Sequence, residues 1–259
     1  MEKHEQPLAD GLPGSDENER RKVAELRELV EEKDPAAKEV DNVTLRRFLR
    51  SRDQDVKKAS RYLLKHLNWR RSAVPNGFIS EAEIKNELLQ RKVFAQGFDK
   101  VGRPIAIVLN AKHDPAKRDL AEFKRSVVYL IDKLCARTGG DQEKFTIIGD
   151  FKDWGFSNCD LRAYLAALDI LQNNYPERLG KAFFVNVPYF FMKAWKIIYP
   201  LIDQNTKKKF VFLENENMTD KLLEDIDESQ LPEIYGGKLP LVPIEESISK
   251  SEATNEFSA

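Results

Sequence analysis

Polar and apolar positions divide the chain into two halves of different period. Between Glu19 and Glu32, Val23, Leu26, Leu29 and Val30 recur at helical spacing. A second helix is predicted over Asn42 to Arg52, with Leu45, Phe48 and Leu49 inward and Arg46, Arg47 and Arg50 outward. A third starts near Asp55 and places Ala59, Tyr62, Leu63, His66, Leu67 and Arg70 on one face, until Pro75-Asn76-Gly77 breaks the pattern. Residues 18–75 therefore read as an all-helical lobe. Residues 84–240 read differently, as short apolar runs alternating with helical stretches. Strands are predicted at Val93–Phe98, Arg103–Leu109, Phe145–Ile148, Ala182–Val187 and Phe210–Leu213, with Gly102 giving the first turn its positive φ. Helices are predicted at Leu120–Arg137, Leu161–Gln172 and Leu222–Ile226. This alternation favours an α/β fold, a mostly parallel sheet flanked by helices. The polar ends, residues 1–17 and 245–259, read as disordered tails.

One helix breaks the usual amphipathic rule. From Tyr189 to Tyr199 only Lys193 and Lys196 are charged, so almost no polar face remains. The stretch is far shorter than the roughly 20 apolar residues that span a bilayer. Such a helix must be buried, cover an apolar ligand, or touch a lipid surface. Pro188 and Pro200 bracket it, as suits hinges and also ordinary helix ends.

Composition narrows the class. Charged residues make up 33% of the 259, apolar residues 41%, and the formal net charge is −1, as in a soluble globular protein. A near-neutral balance argues against general nucleic-acid binding, which rests on excess positive charge. Cys135 and Cys159 form neither a disulfide framework nor a metal site, and a reducing compartment is expected. Met1-Glu2-Lys3-His4-Glu5 has no apolar signal core and no myristoylation glycine, and Glu256-Phe257-Ser258-Ala259 is not a prenylation box. Any membrane contact is therefore expected from the cytoplasmic side, peripheral and reversible.

Catalytic patterns are missing. The chain has no Gly-x-Gly-x-x-Gly, no phosphate loop and no Gly-x-Ser-x-Gly elbow. His66 is expected half-buried on its helix and His113 solvated in a charged loop, so neither is expected to act as a base. No His, Cys or carboxylate set has metal-ligand spacing. The expectation is a protein without catalysis, metal or cofactor. Polar groups do gather around the apolar helix: Glu177 and Arg178 before it, Thr206, Lys207, Lys208 and Lys209 after it. An acid, a hydroxyl and several cations suit a sugar-like, phosphorylated head group. On spacing alone, a loop pair with a solvated lysine-rich helix end is the favoured reading. The basic run Arg46, Arg47, Arg50, Arg52, Lys57, Lys58 and Arg61 is expected to be a wet helix face.

Five motifs in order then carry a resemblance. Thr44-Leu45-Arg46-Arg47-Phe48-Leu49-Arg50-Ser51-Arg52 with Asp55-Val56 comes first, followed by Asn68-Trp69-Arg70 and Asp99-Lys100-Val101-Gly102-Arg103-Pro104. Tyr175-Pro176-Glu177-Arg178-Leu179 with Asn186-Val187-Pro188, and Leu231-Pro232-Glu233-Ile234-Tyr235-Gly236-Gly237, complete the series. Together, over about residues 20–240, they resemble the CRAL-TRIO lipid-binding family, and within it the phosphatidylinositol transfer branch. The resemblance implies a lipid-binding domain over 84–240 whose sheet and helices enclose a hydrophobic cavity, with phosphatidylinositol as bound lipid. It implies head-group contacts at Arg52, Glu177, Thr206 and Lys209, helped by Arg178, although Asp53 stands where the family has a basic residue. It implies a gating helix over 188–200, with Phe190, Phe191, Trp195, Ile198 and Tyr199 meeting acyl chains. Lys193, Lys196, Lys207 and Lys208 would then meet anionic membrane. Thr146 is the sole hydroxyl on the strand where the family places its phosphatidylcholine-binding Ser and Thr. The implied partners are a phospholipid, a transient membrane surface and a lipid kinase, with a monomeric carrier. A tocopherol- or retinoid-like ligand, or a protein-interaction module with a vestigial cavity, are the alternatives.

Overall fold

The computed structural model describes residues 17–139 and 141–247. The expected tails therefore fall outside the described residues, except Glu17 and residues 245–247. Glu17 opens a helix, and residues 244–246 form a 3-10 turn. The chain divides into two compact units, residues 1–69 and 70–259.

The first unit is helical: α1 Glu17–Lys33, α2 Asn42–Arg50 and α3 Val56–Ala73, the last running on beyond the division. Asp41 caps α2 by accepting the Thr44 N–H at 2.6 Å. Val23, Leu26 and Val30 of α1 meet Leu45, Phe48 and Leu49 of α2 and Ala59 and Leu63 of α3 in one core. The arginine run of α2 departs from its predicted wet face. Arg46 and Arg47 are buried and only Arg50 is exposed. Arg46 Nε and Arg50 Nε lie 2.7 and 2.8 Å from the two carboxylate oxygens of Glu19 on α1. Hydropathy missed this because a paired, hydrogen-bonded guanidinium tolerates burial that a lone one does not.

The second unit is an α/β domain. After the short α4 (Lys85–Leu89), β1 (Val93–Phe98), β2 (Pro104–Leu109), β3 (Phe145–Asp150), β4 (Leu179–Val185) and β5 (Phe210–Phe212) lie side by side in chain order. β1 pairs antiparallel with β2, and the remaining three pairings are parallel. The α/β fold with a mostly parallel sheet is therefore present as predicted. Gly102 holds φ +81° in the β1–β2 turn, where an L side chain would be strained. Asp99 ties that turn by accepting from the Arg103 N–H at 2.9 Å and the Thr146 hydroxyl at 2.8 Å.

Strand alternation gives the sheet two different faces. Ile105, Ile107, Ile148, Phe183 and Val185 point one way and form a solid core with Leu222, Ile226, Leu231 and Tyr235, the first two from the region of α9 (Met218–Asp225). The opposite face is covered by α5 (Leu120–Arg137), α6 (Leu161–Asn174) and α7 (Phe191–Ile198), the predicted apolar helix; a one-turn helix, α8 (Gln204–Lys207), follows.

On the solid face, Asp150 accepts from the Tyr235 hydroxyl at 2.9 Å, Asn186 Nδ2 at 2.8 Å and the Lys152 N–H at 2.8 Å. Burial and the adjacent Asp150 carboxylate raise the Tyr235 hydroxyl's pKa, so it remains a proton donor. Replacing Tyr235 with Phe removes one donor from a buried carboxylate and is expected to cost about 1–3 kcal/mol in urea denaturation.

Candidate functional site

The helix-covered face of the sheet is hollow. Its cavity measures about 280 Å³, some twenty times the roughly 10–15 Å³ that one water needs. The floor is two cross-strand rows, Ala106–Ile147–Ala182–Phe210 and Val93–Val108–Gly149–Phe184, of which all but Ala106 line the void. Each covering helix contributes one stripe: Phe123, Val127 and Leu130 from α5, then Tyr164, Ala167, Leu168 and Leu171 from α6. From α7 come Phe191, Trp195 and Ile198. The i, i+4, i+7 spacing on α7 is the periodicity of a single helical face.

α7 thus covers the cavity. Phe191 packs on Phe151 with ring centroids 4.4 Å apart, and Trp195 packs on Phe210 at 5.1 Å. Its outer side carries Met192, Lys193, Lys196 and Ile197, all exposed. The expected contacts therefore divide. Phe191, Trp195 and Ile198 face the void, whereas Phe190 and Tyr199 do not line it. Phe190 stacks on Trp154 and Phe156 at 5.6 and 4.6 Å, and Tyr199 is exposed beneath the Lys207 ammonium, 4.7 Å from its ring centre. Lys208 is exposed. Phe156, 69% exposed on the turn after β3, escaped sequence reading because a lone aromatic in a loop carries no periodic signal.

Polar groups gather where the parallel strands begin. Lys144 immediately precedes β3, Glu177 lies two residues before β4, and Lys209 immediately precedes β5. Parallel pairing brings these starts to one edge. Lys144 Nζ lies 3.6 Å from Glu177 Oε2. Lys209 is half-buried, with no side-chain hydrogen bond or ion pair among the described residues. Burial lowers its pKa and Lys144 pushes the same way, while Glu177 and Asp203 oppose them. Thr206 is buried in α8, its N–H held at 2.9 Å by the capping Asp203 carboxylate. Leu179, two residues after Glu177, and Phe210, one after Lys209, line the cavity, whereas Glu177, Thr206 and Lys209 themselves do not. Arg178 turns aside and donates to the Glu143 carbonyl at 2.8 Å. Arg52 belongs to the first unit, where its guanidinium stacks 3.6 Å over the Tyr62 ring and its Nε is buried without a partner. Lys144 was legible only through the rule that residues preceding parallel strands share an edge.

The opposite strand ends hold a different polar group. His113 is not solvated as expected; it is buried and lines the cavity with Lys92. Lys92 Nζ contacts Glu87 Oε2 at 2.7 Å, Gln90 Oε1 at 2.9 Å and His113 Nδ1 at 2.8 Å. An ammonium is only a donor, so Nδ1 accepts and the His113 proton sits on Nε2, 3.2 Å from Asp160. Arg118 holds that carboxylate at 2.6 Å, and Asp160 also caps α6 through the Ala163 N–H. Three loops and the short α4 converge here, which is why local charge alone suggested solvent.

Thr146 answers the question of a hydroxyl on β3. It points to the solid face, where it donates to Asp99, while its neighbour Ile147 faces the cavity.

The sequence model of the CRAL/TRIO domain matches residues 89–237. The chain belongs to the CRAL/TRIO domain family. Members of this family bind and carry lipids, in keeping with a large apolar cavity. The chain is 28% identical over 247 residues to the SEC14 cytosolic factor of Kluyveromyces lactis, covering 88% of this chain and 81% of that protein. It is 28% identical over 211 residues to the phosphatidylinositol transfer protein PDR17 of Saccharomyces cerevisiae, covering 74% and 56%. The first curated relatives it matches are longer, and the chain spans only 31% to 42% of their length. The solved structure of Sfh5 superposes with a TM-score of 0.66 over 91% of this chain and 93% of that one, at 20% identity, a likeness of fold.

Two expectations follow for this CRAL/TRIO site. Burial, then the Lys92 charge, lower the His113 pKa below the ordinary value. The unfolded chain then binds a proton, from about pH 6.5 downward, that the folded chain refuses, so this group's stability is complete above that pH and lost below it. Urea midpoints at about pH 7.5 and 5.5 should differ more in the native chain than in His113→Gln. Glu177 sits at φ +59°, a left-handed conformation costing an L residue about 1–2 kcal/mol. Glu177→Gly is therefore expected to keep or raise the urea midpoint while weakening ligand binding.

Proposed function

We propose that this chain carries phosphatidylinositol, acyl chains in the cavity and inositol phosphate at the strand-start cluster, and that it transfers or presents the lipid between membranes without a chemical step. The observation that carries this reading is the Lys209 ammonium, half-buried one residue before the cavity-lining Phe210, with no side-chain hydrogen bond or ion pair among the described residues. A half-buried cation with acidic groups near it but no direct ion pair suits an anionic ligand, because desolvation makes a charge-assisted bond to phosphate stronger than it is in water. Glu177 and Thr206 add an acceptor and a hydroxyl for ring hydroxyls. The name of the phosphatidylinositol transfer relative points the same way.

The cavity supplies the remaining affinity at about 0.8 kcal/mol for each methylene taken from water. α7 is the gate, hinged near Pro188 and Pro200. Swung outward, it brings Tyr189, Met192 and Ile197, with Lys193 and Lys196, to the surface of an anionic bilayer. Among the described residues no helix is long and apolar enough to cross a membrane, so contact through α7 is peripheral and reversible. A monomeric cytoplasmic carrier that hands its lipid to a lipid kinase completes the proposal.

The test is transfer of labelled phosphatidylinositol between vesicles. Lys209→Met and Thr206→Val should each fold normally and lower transfer, Lys209→Met by about tenfold or more, the equivalent of one lost charge-assisted bond. Full transfer by a folded Lys209→Met would refute the head-group assignment. A tocopherol or retinoid as the only lipid extracted from purified protein would refute the ligand.

A further inference from the structure

The basic run of the first unit divides once it is folded. Arg46 and Arg50 pair with Glu19, whereas the cations of α3 stay on the surface. Lys57, Lys58, Arg61 and Lys65 are all exposed, with Tyr62 among them. Lys57, Arg61 and Lys65 are spaced by four, so they share about 80° of the helix circumference and about 12 Å of its length. The opposite face is fixed, because Val56, Ala59 and Leu63 are buried in the core that α3 shares with α1 and α2.

Almost no acid offsets this stripe. None occurs in the chain between Asp55 and Glu81. Asp55 pairs with Lys58 at 3.4 Å, and only its field reaches Arg61. Lys57, Arg61 and Lys65 have no ion pair or side-chain hydrogen bond among the described residues. Like charges four residues apart destabilise a helix. Two such pairs, Lys57–Arg61 and Arg61–Lys65, follow each other here, in a chain whose formal net charge is only −1. A surface pattern that opposes its own helix, without a compensating contact, is the mark of a functional face.

We infer that this face of α3 docks on an anionic bilayer, as a second membrane contact held by charge alone. Three of its four cations are lysines, compact point charges suited to a diffuse field of anionic head groups. Phosphate recognition in nucleic acid favours the bidentate arginine fork instead. Tyr62, 36% exposed, adds a ring of the type enriched at membrane–water interfaces, one face of it under the Arg52 guanidinium. The inference rests on the carrier reading only for its choice of a membrane, and needs neither the cavity nor α7. Because the apolar side of α3 is locked in a core, the stripe touches the surface without inserting. Salt therefore breaks this contact, by screening exposed charges from one another.

The experiment measures binding of the full chain to phosphatidylcholine vesicles with and without phosphatidylserine, at about 0.1 M and about 0.5 M salt. The native chain should bind the serine-containing vesicles and lose most of that binding at the higher salt. Lys57→Gln/Arg61→Gln/Lys65→Gln should weaken the salt-sensitive binding on the order of 100-fold, about fivefold per cation. Its urea midpoint should stay level or rise, because the like-charge pairs are gone. Arg20→Gln/Arg21→Gln/Lys22→Gln removes the same charge from α1 and should weaken binding far less. Equal losses in the two variants would overturn the inference, as would a native chain that ignores anionic vesicles. A duplex oligonucleotide and a polyglutamate peptide are titrated alongside. Stripe-dependent binding of either, with vesicle binding unchanged in the α3 variant, would also overturn it. Unchanged vesicle binding in that variant, with intact phosphatidylinositol transfer, would leave the carrier reading standing. Stripe-dependent vesicle binding by a chain that transfers no phosphatidylinositol would support the inference and overturn that reading.

Discussion

Everything in the α/β unit follows from a sheet with one solid face and one hollow face. Strand alternation sends Ile148, Phe183 and Val185 into a packed core and Ile147, Ala182 and Phe184 into a void. Proteins normally close such voids, because lining atoms without partners lose their dispersion contacts. Here three helices arch over the gap and leave it open inside. A cavity of this size and character is destabilising when empty, and an apolar ligand that fills it restores the missing contacts. Ligand binding and the stability of the unit are therefore coupled through the same surface.

The covering helices are not equivalent. α5 and α6 are long, capped by Asp119 and Asp160, and fixed by polar ties such as the Tyr175 hydroxyl to Asp132. α7 has eight residues, no side-chain cap, and a proline before and after it. Its attachment is the ring cluster of Phe151, Trp154, Phe191 and Trp195. Aromatic packing is non-directional compared with a hydrogen-bonded cap, so this is the element that can leave at least cost in specific bonds. The same features that make α7 a weakly held cover give it an apolar inner face suited to acyl chains.

Charge is distributed to match. The Glu87–Lys92–His113–Asp160–Arg118 chain pairs several buried ionisable groups with one another. Breaking it by removing one member would leave an unpaired buried charge, which costs more than the intact network contributes. At the strand starts, Lys209 has Glu177 and Asp203 near it but no direct ion pair among the described residues.

Much of this was legible in the residues. The order of strands and helices, the turn at Gly102, and the apolar character of 189–199 are local properties, fixed by side-chain period and backbone preference. The cluster of Glu177, Thr206 and Lys209 was legible as chemistry, though not as geometry. Tertiary structure alone decided where side chains point and what they meet. Arg46 was buried by a glutamate on another helix, and His113 was drawn inward by Lys92 and Asp160, which lie on loops 21 and 47 residues away in the chain. Lys144 joined the cluster because three parallel strands start at one edge. Each of these depends on partners distant in sequence, and burial of a charge is decided by its partner and not by its neighbours along the chain.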